Sequence, residues 1–449
     1  MTITATEDTA ERLARLQQHI EDLLREAKDR GASAAEASVG SSAGLEVSVR
    51  LGEVETVEHT RDNGLGITVY FGHHKGSAST TDLSPASLRD TVAAACTIAA
   101  QTQEDPCAHL ADAALMARTI PDLDLYHPWP LGVDEAIRIA AECEDAARAY
   151  DARIVNSEGA SLSTHMGLQV YGNSHGFIGG YPSTRHGLSC AVVGEDGDSM
   201  QRDYWWTSAR CAADLDPARG VGERAAARTV ARLGARQIDT RKAPVLFRAE
   251  VAAGLLRSLV SAISGGSLYR RSSFLLDHLN ETIFPGFVRI HEQPLLARGL
   301  ASAPFDGDGV ATWSKDLVSE GVLRTYLLDA YSGCRLKLPT TGNAGGVRNL
   351  SIDMGELDRA GMLALMGTGL FVTELMGHGV NAVTGDYSRG AAGFWVEHGE
   401  IQFPVEEITI AGNLKEMFAG LVAVGNDCDF PGSTRTGSWL IGEMTIAGE

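Results

Sequence analysis

The densest group of chemically capable side chains lies near the C-terminal end of the chain, between two glycines. Its members are Asp386, Tyr387, Ser388, Arg389 and Gly390. A serine nucleophile of the elbow type needs the spacing G-x-S-x-G, which holds the serine on a sharp turn. Here the glycines stand at positions 385 and 390, so that spacing is absent. We therefore predict no nucleophile elbow here, and we interpret the segment as a polar loop.

Two interpretations of this loop stay open. In the first, the loop is one wall of a peptide groove, where Arg389 binds a carboxylate and glycine backbone pairs with an extended peptide by strand addition. In the second, Asp386 and Arg389 form an internal ion pair that braces the loop. The residue types alone do not separate these two possibilities.

A second polar segment, G-G-S-L-Y-R-R-S at residues 265–272, combines two glycines with the guanidinium groups of Arg270 and Arg271. Such a segment can surround an anion, but the Gly-Lys-Ser/Thr ending of a phosphate-binding P-loop is absent. The pattern is also typical of a helix end followed by an interface loop. Arg270 and Arg271 are therefore candidates for an anion site or for an interface.

Metal-ligand patterns are missing from the chain. A zincin carries two histidines on one helix face with a glutamate between them, and no H-E-x-x-H occurs among the 13 histidines. The seven cysteines are scattered and contain no C-x-x-C pair, which excludes a zinc ribbon and argues against a disulfide framework. We predict reduced thiols, no metal ligand and no catalytic residue on this chain.

The composition of the chain argues against some classes of binding partner. The chain has 449 residues and a formal net charge of -20, whereas nucleic-acid binding requires a basic surface. The first residues lack the basic and apolar regions of a secretory signal. The apolar stretches are too short to span a bilayer. We expect a cytoplasmic protein that binds neither nucleic acid nor membrane.

The sequence pattern around these residues predicts helices and strands that together form an α+β fold. Residues 1–108 and 109–240 each indicate a helix–sheet–helix unit, because helical periodicity brackets segments of alternating polarity. Within the first unit, residues 54–60 and 65–71 are predicted as two separate strands. The N-terminal part of the chain is thus expected to consist of two α+β units.

The pattern changes after residue 240. Residues 241–449 contain short apolar runs punctuated by glycines, which predicts a mostly β, barrel-like C-terminal domain with inserted helices. A helix over 250–263 and a hairpin turning at 397–400 are its clearest elements. The polar segment at 385–390 therefore lies between predicted strands of this domain.

The C-terminal sequence resembles a known family. The segment GTGLFVTELMGHGVNAVTGDYSRGAAGFWVEHGEIQFPVEEITIAGN is similar to the C-terminal signature of the TldD/PmbA (TldE) family. The segments AISGGSLYRRSSFLL, GLASAPF and TTGNAGG resemble the PmbA/TldE branch in particular. This resemblance implies a heterodimeric zinc peptidase in which the metal lies on TldD. A chain of this branch would pair with a TldD-like subunit, help to enclose a chamber, and present an edge strand to unfolded or extended peptides.

The resemblance also bears on the zinc site. TldD-type subunits carry H-E-x-x-x-H on a helix that follows an apolar strand. Glu250 stands where the family has its glutamate, but Ala249 and Gly254 occupy the positions of the two histidines. Thr436 is the nearest match to a late cysteine ligand. The resemblance thus implies no zinc on this chain and zinc on the partner, and we interpret Glu250 as a carboxylate favoured by the helix dipole.

Three function hypotheses remain. The first is a non-catalytic TldE/PmbA-like subunit of a zinc metallopeptidase. The second is a free-standing homodimeric protein that binds peptides or regulates, without peptidase activity. The third is an independent hydrolase that uses Ser388 or a cysteine, which predicts activity that survives a chelator. Whether the chain alone is an enzyme is left open.

Overall fold

The computed structural model describes residues 9–448, and no helix in that range is both long enough and apolar enough to cross a bilayer. In chain order, the elements of the N-terminal half are α1 (Thr9–Asp29), β1 (Ala34–Arg50), β2 (Glu53–Phe71), β3 (His74–Thr80), α2 (Pro85–Ala99), α3 (Val133–Arg148), β4 (Ile154–Asn173), β5 (Ile178–Asp196), β6 (Ser199–Ala209) and α4 (Ala218–Ala231). The strands form one antiparallel sheet in the order β3-β2-β1-β4-β5-β6.

The four helices pack on one face of this sheet because its long strands alternate between apolar and polar residues. Strand β1 shows the pattern along its whole length. Its buried residues form two groups, Ala35, Ala37 and Val39 in the core with α1 and α2, and Leu45, Val47 and Val49 in the core with α3 and α4. The same strand therefore contributes to two hydrophobic cores.

Strands from both predicted N-terminal units lie in this single sheet. Strand β1 pairs with β4 from Glu36 opposite Asn173 to Val49 opposite Ala160. The prediction of two separate strands within residues 54–71 is wrong, because β2 is continuous and Gly64 stays in the ladder opposite Gly40. The division of the chain at residues 108 and 240 stays a prediction.

The C-terminal half is richer in short elements. They are β7 (Arg241–Phe247), α5 (Ala249–Ala262), α6 (Gly265–Tyr269), β8 (Ile290–Glu292), β9 (Lys315–Ser319), β10 (Val322–Leu323), α7 (Ala330–Leu336), β11 (Leu350–Ile352), α8 (Arg359–Met366), β12 (Gly369–Met376), β13 (Asp386–Glu397), β14 (Glu400–Asn413), α9 (Leu414–Ala419), β15 (Leu421–Val424), β16 (Thr434–Arg435) and β17 (Trp439–Ala447). A small sheet has the order β10-β9-β8-β11-β16.

The remaining strands of this half form a closed barrel. Five strands follow one another as β14-β13-β12-β7-β17, and pairing of β14 with β17 closes the ring, while β15 adds to β17. Its core includes the stacked rings of Phe284 and Phe418, whose centroids lie 4.7 Å apart, and the edge of Trp439. The predicted α+β fold with a barrel-like C-terminal domain is confirmed.

Two of the seven cysteines depart from the prediction of reduced thiols. Cys107, in the segment after α2, is bonded to Cys334 in α7, with 5.6 Å between their Cα atoms. The prediction is therefore wrong for this pair. The two residues are 227 positions apart, so no local spacing motif marks them. Cys96, Cys143 and Cys190 are among the cysteines that stay free.

Candidate functional site

One face of α5 lines a cleft of about 580 Å³ between the N-terminal sheet and the barrel. Glu250, Gly254 and Arg257 follow at helical spacing and face this cleft. The opposite face of the helix is buried in the barrel core through Leu256 and Leu259. The amphipathic pattern of α5 therefore directs its polar positions into the cleft.

The other walls of the cleft come from both halves of the chain. On β6, Tyr204 and Trp206 point to the same side, and their stacked rings have centroids 5.6 Å apart. Strand β12 supplies Thr373, which lies at a bulge where the register with β13 shifts. Arg389 of β13 also lines the cleft. The site thus combines an aromatic wall with polar side chains.

Buried charges form the base of the cleft. What we call the arginine cluster consists of Asp203, Arg228, Arg232, Arg248, Glu250 and Glu374. Arg228 joins the two halves, since its Nη1 lies 2.5 Å from Glu250 Oε1 and its Nε lies 3.1 Å from Asp203 Oδ1. Arg232 Nη1 lies 2.5 Å from Glu374 Oε2 and 3.6 Å from Asp203 Oδ2. Arg248 Nε approaches Glu250 Oε2 to 3.3 Å.

Burial and ion pairing shift the pKa values of these arginines in opposite directions. Burial lowers the pKa of Arg248 to about 10, and the negative charge of Glu250 offsets only part of that effect. Burial also disfavours the charged form of Arg228, but Asp203 and Glu250 together hold its pKa above the ordinary value. Arg228 therefore stays a cation at every physiological pH, and it bridges two carboxylates.

The residues at the family's zinc positions do not fit a zinc ion. Protein ligands of zinc are thiolates, imidazoles and carboxylates. Ala249 and Gly254 offer none of these groups, and the Thr436 hydroxyl accepts a hydrogen bond from Trp439 Nε1 at 2.7 Å. Glu250 is already bound by two arginines. Within residues 9–448 no group of three or more His, Cys, Asp or Glu side chains could hold a metal ion.

The predicted loop at 385–390 is a strand for most of its length, so that interpretation is wrong. Residues from Asp386 onward belong to β13 and pair with β14, from Asp386 opposite Asn413 to Gly390 opposite Thr409. Tyr387 is buried, with only 3% of its surface exposed. Polar residues and glycines are typical of loops, but here two neighbouring segments fix them in a sheet.

The structure contradicts the ion-pair interpretation of this segment, whereas its role as one wall of a peptide groove stays a prediction. Asp386 accepts hydrogen bonds from Thr384 and Asn413 instead of forming an ion pair with Arg389. The backbone N–H of Ser388 donates to the Gly379 carbonyl at 2.7 Å, so this position is not free for strand addition. Of the five candidate groove residues, only Arg389 lines the cleft that contains Glu250.

Arg270 and Arg271 lie apart from that cleft. Residues 265–269 form the short helix α6, and Arg270 follows at its end, donating from Nη1 to the Tyr269 hydroxyl at 3.1 Å. Both arginines are exposed, and Arg271 has a positive φ of 56°. Their role as an anion site or an interface stays a prediction.

A second group of charges, in which Asp306 is buried and Glu36 and Asp308 are half-buried, joins the sheet to the C-terminal half. What we call the acidic cluster consists of Glu36, Asp306 and Asp308. The hydroxyls of Tyr70 and Tyr171 donate to Glu36 at 2.7 and 2.9 Å, and the Ala330 N–H donates to Asp308 at 2.8 Å. Burial, with the negative charges of Asp306 and Glu36, raises the pKa of Asp308 to about 7. None of the three carboxylates forms an ion pair with lysine or arginine within residues 9–448.

Sequence reasoning missed several residues of the cleft. Arg257 follows Glu250 and Gly254 on the same helical face, and that periodicity was a usable signal. Arg228 lies on another helix, and Thr373 reaches the cleft because of a bulge. No local pattern marks either of these two residues.

The chain matches family models along most of its length. The matching models are described as PmbA/TldA metallopeptidase domain 1, over residues 35–99, the central domain, over 126–233, and the C-terminal domain, over 240–448. The C-terminal model contains α5, β12 and β13, and the central model contains β6 and α4. The cleft therefore lies between two of the matched domains.

Curated relatives cover nearly the whole chain. It is 53% identical to Metalloprotease PmbA of Escherichia coli O157:H7 over 415 residues, which are 92% of each chain. It is 48% identical to a Metalloprotease PmbA homolog of Haemophilus influenzae over 96% of each chain.

Solved structures share the fold. One is a Bacteroides thetaiotaomicron protein described as a candidate modulator of DNA gyrase, with a TM-score of 0.91, 27% identity, and coverage of 96% of this chain and 99% of the other. Another is TldE from Thermococcus kodakarensis, with a TM-score of 0.79, 21% identity, and coverage of 96% and 100%. With its sequence matches and its fold in agreement, the chain belongs to the PmbA/TldD family of metallopeptidases.

Proposed function

We propose that this chain is the non-catalytic subunit of a heterodimeric zinc metallopeptidase that acts on unfolded or extended peptides in the cytoplasm. The zinc would be held by a TldD-like partner. The observation that carries the proposal is the state of Glu250, which is bound by Arg228 and Arg248 at the base of the cleft. A general base must accept a proton from water, and a carboxylate held by two guanidinium groups is poorly suited to that role.

The surroundings of Glu250 support the same conclusion. Ala249 is fully buried with a methyl side chain, and an added Cβ at Gly254 would meet no atom within 4 Å. The helix therefore keeps its shape and its cleft without metal ligands. Such an arrangement suits a subunit that encloses and orients a substrate while its partner performs the chemistry.

The experiment compares the purified chain alone, a purified TldD-like relative that carries H-E-x-x-x-H, and their mixture. Each sample is analysed for zinc and for cleavage of an unstructured fluorogenic peptide. We expect the lone chain to be free of zinc and inactive, and the mixture to cleave the peptide until a chelator is added. As a matched control, the relative is also tested with glutamine in place of its motif glutamate.

Two outcomes would contradict the proposal. Stoichiometric zinc and cleavage by the lone chain would require a metal site outside the family pattern. A mixture that is no more active than the relative alone, with no complex on size-exclusion chromatography, would favour the free-standing binding protein instead.

A further inference from the structure

The cleft contains two cations that differ from those of the arginine cluster. Arg257 lies two turns after Glu250 on α5, is exposed, and has no ion-pair or hydrogen-bond partner among residues 9–448. Within the described part of the chain, the Arg389 guanidinium contacts only the carbonyl oxygens of Leu375 and Met376, at 3.5 Å each. Since neither guanidinium meets a carboxylate, both are available to an anion in the cleft.

Two buried polar atoms beside these arginines also lack hydrogen bonds. Glu250 Oε2 and Thr373 Oγ1 are buried and make no hydrogen bond, and Glu250 Oε2 has only the ion-pair contact with Arg248 Nε at 3.3 Å. The Glu250 side chain is only 10% exposed, and the Thr373 residue is 6% exposed. A buried polar group without a hydrogen bond destabilises the fold. Both residues line the cleft, and an N–H donor on a ligand would complete their hydrogen bonding after a small rotation of each side chain.

The aromatic wall adds an apolar surface. Tyr204 is 46% exposed and stacks on Trp206 at the side of the cleft. A cleft of about 580 Å³ falls within the range of roughly 300–1,000 Å³ typical of ligand sites. Its lining therefore offers three separate features, which are two unpaired guanidinium groups, two acceptor oxygens and an aromatic face.

We propose that this cleft binds the C-terminal end of an extended peptide. The terminal carboxylate would bind Arg257 and Arg389, the last side chain would pack on Tyr204 and Trp206, and a backbone N–H would donate to Glu250 Oε2. The end of a peptide carries a carboxylate, a side chain and a backbone N–H within a few atoms of one another. A simple inorganic anion carries only the negative charge. The inference goes beyond the proposed function, because binding requires neither zinc nor a partner subunit.

The test measures binding of two probes to the purified full chain by isothermal titration calorimetry. One probe is an N-acetylated Ala-Ala-Phe peptide with a free carboxylate, and the other is the same peptide as its C-terminal amide. We expect the free acid to bind at least tenfold more tightly than the amide. Arg257→Ala and Arg389→Ala should each weaken binding of the acid at least tenfold, and the double variant should bind acid and amide equally.

Matched variants separate loss of binding from loss of folding. Arg219→Ala removes an exposed arginine outside the cleft and should leave the affinity unchanged. Gly254→Leu should abolish binding by filling the cleft, because no atom lies within 4 Å of an added Cβ there. Thermal melting of every variant checks that the fold is retained.

Three results would overturn the proposal. Equal affinity for acid and amide would exclude recognition of the carboxylate. Unchanged affinity in Arg257→Ala and Arg389→Ala would exclude these residues as ligands. Tight binding of inorganic phosphate that depends on both arginines, without binding of the peptide acid, would show a general anion site rather than a peptide site.

Discussion

The junction between the N-terminal sheet and the C-terminal half contains two groups of buried and half-buried charges, which differ in their ratio of carboxylates to cations. The arginine cluster pairs three carboxylates with three guanidinium groups, and Arg228 and Arg232 each contact carboxylates from both halves. The acidic cluster has three carboxylates, and tyrosine hydroxyls and backbone N–H groups are its hydrogen-bond donors. The first group should keep its charge at all physiological pH values, whereas the second should bind a proton near neutrality.

The comparison shows two ways in which carboxylates can be accommodated at an interface inside the protein. A paired cation keeps the carboxylate charged, and removing that cation leaves an uncompensated buried charge. Without a cation, burial raises the pKa until the group becomes neutral. The two junctions should therefore respond to different perturbations, which the following experiments separate.

The largest effect is expected from Arg228→Ala. This change leaves Asp203 buried with only Arg232 at 3.6 Å, and it leaves Glu250 with only Arg248. Breaking a buried pair from one side typically costs about 3–5 kcal/mol, and we expect a loss of that size in the free energy of unfolding. Urea denaturation measures it.

The matched control for Arg228 is Arg219→Ala on the same helix. Arg219 forms an exposed pair with Glu223 at 2.7 Å, and such pairs contribute about 0.3–0.5 kcal/mol. Equal losses in the two variants would mean that the arginine cluster is no more structural than a surface ion pair.

The acidic cluster predicts a pH dependence. The folded pKa of Asp308 is about 7 and its ordinary value is 3.8, so the folded chain holds an extra proton between these values. The stability from this group is complete below the ordinary value and is lost as pH rises through about 7, with a slope of up to about 1.4 kcal/mol per pH unit. Asp308→Asn should remove this component.

Urea denaturation of wild type and Asp308→Asn at pH 5, 6, 7 and 8 measures that difference. The variant should gain up to about 3 kcal/mol relative to wild type between pH 5 and pH 7, because asparagine keeps the acceptor for Ala330 and cannot ionise. Parallel stability curves would contradict a protonated Asp308 in the fold.

A smaller effect, of opposite sign, is expected at Gly254. Glycine within a helix is less favourable than alanine by about 0.5–1 kcal/mol, and an added Cβ meets open space here. Gly254→Ala should therefore stabilise the chain by that amount in thermal or urea denaturation. Gly222→Ala on α4 is the control of opposite sign, since its Cβ would lie 2.0 Å from the Cys143 carbonyl oxygen.

The smallest effect is expected at the rim of the arginine cluster. The Glu374 side chain is 39% exposed, and its partner Arg232 also faces Asp203. Glu374→Gln should cost about 0.5 kcal/mol, as for other exposed pairs. A loss comparable to that of Arg228→Ala, measured by the same urea titration, would show that the rim is as important as the centre.

Local patterns predicted the elements whose formation depends on local chemistry. The helix expected over 250–263 is α5, with Glu250 in its first turn. The hairpin at 397–400 joins β13 to β14, and His398 and Gly399 have the positive φ values of 54° and 79° that a tight turn requires. Periodicity and turn residues were sufficient in both cases.

The sequence-based predictions failed where contacts between residues far apart in the chain determine the structure. Ser388 lies in a strand because β14 and Gly379 pair with its segment, although its neighbours are typical of a loop. Cys107 meets Cys334 across 227 residues of chain. The contact of Glu250 with Arg228 joins α5 to a residue of α4. Such contacts are set by the tertiary fold, and no short window of sequence contains them.

The shared strand β1 has a consequence for synthesis on the ribosome. Its long partner β4 begins at Ile154, about 100 residues after β1 ends at Arg50, and translation at about 5–20 residues per second takes roughly 5–20 s to reach it. During that interval β1 can pair only with β2, and its other edge is open. Nascent chains of this protein should therefore need protection from aggregation until β4 has emerged.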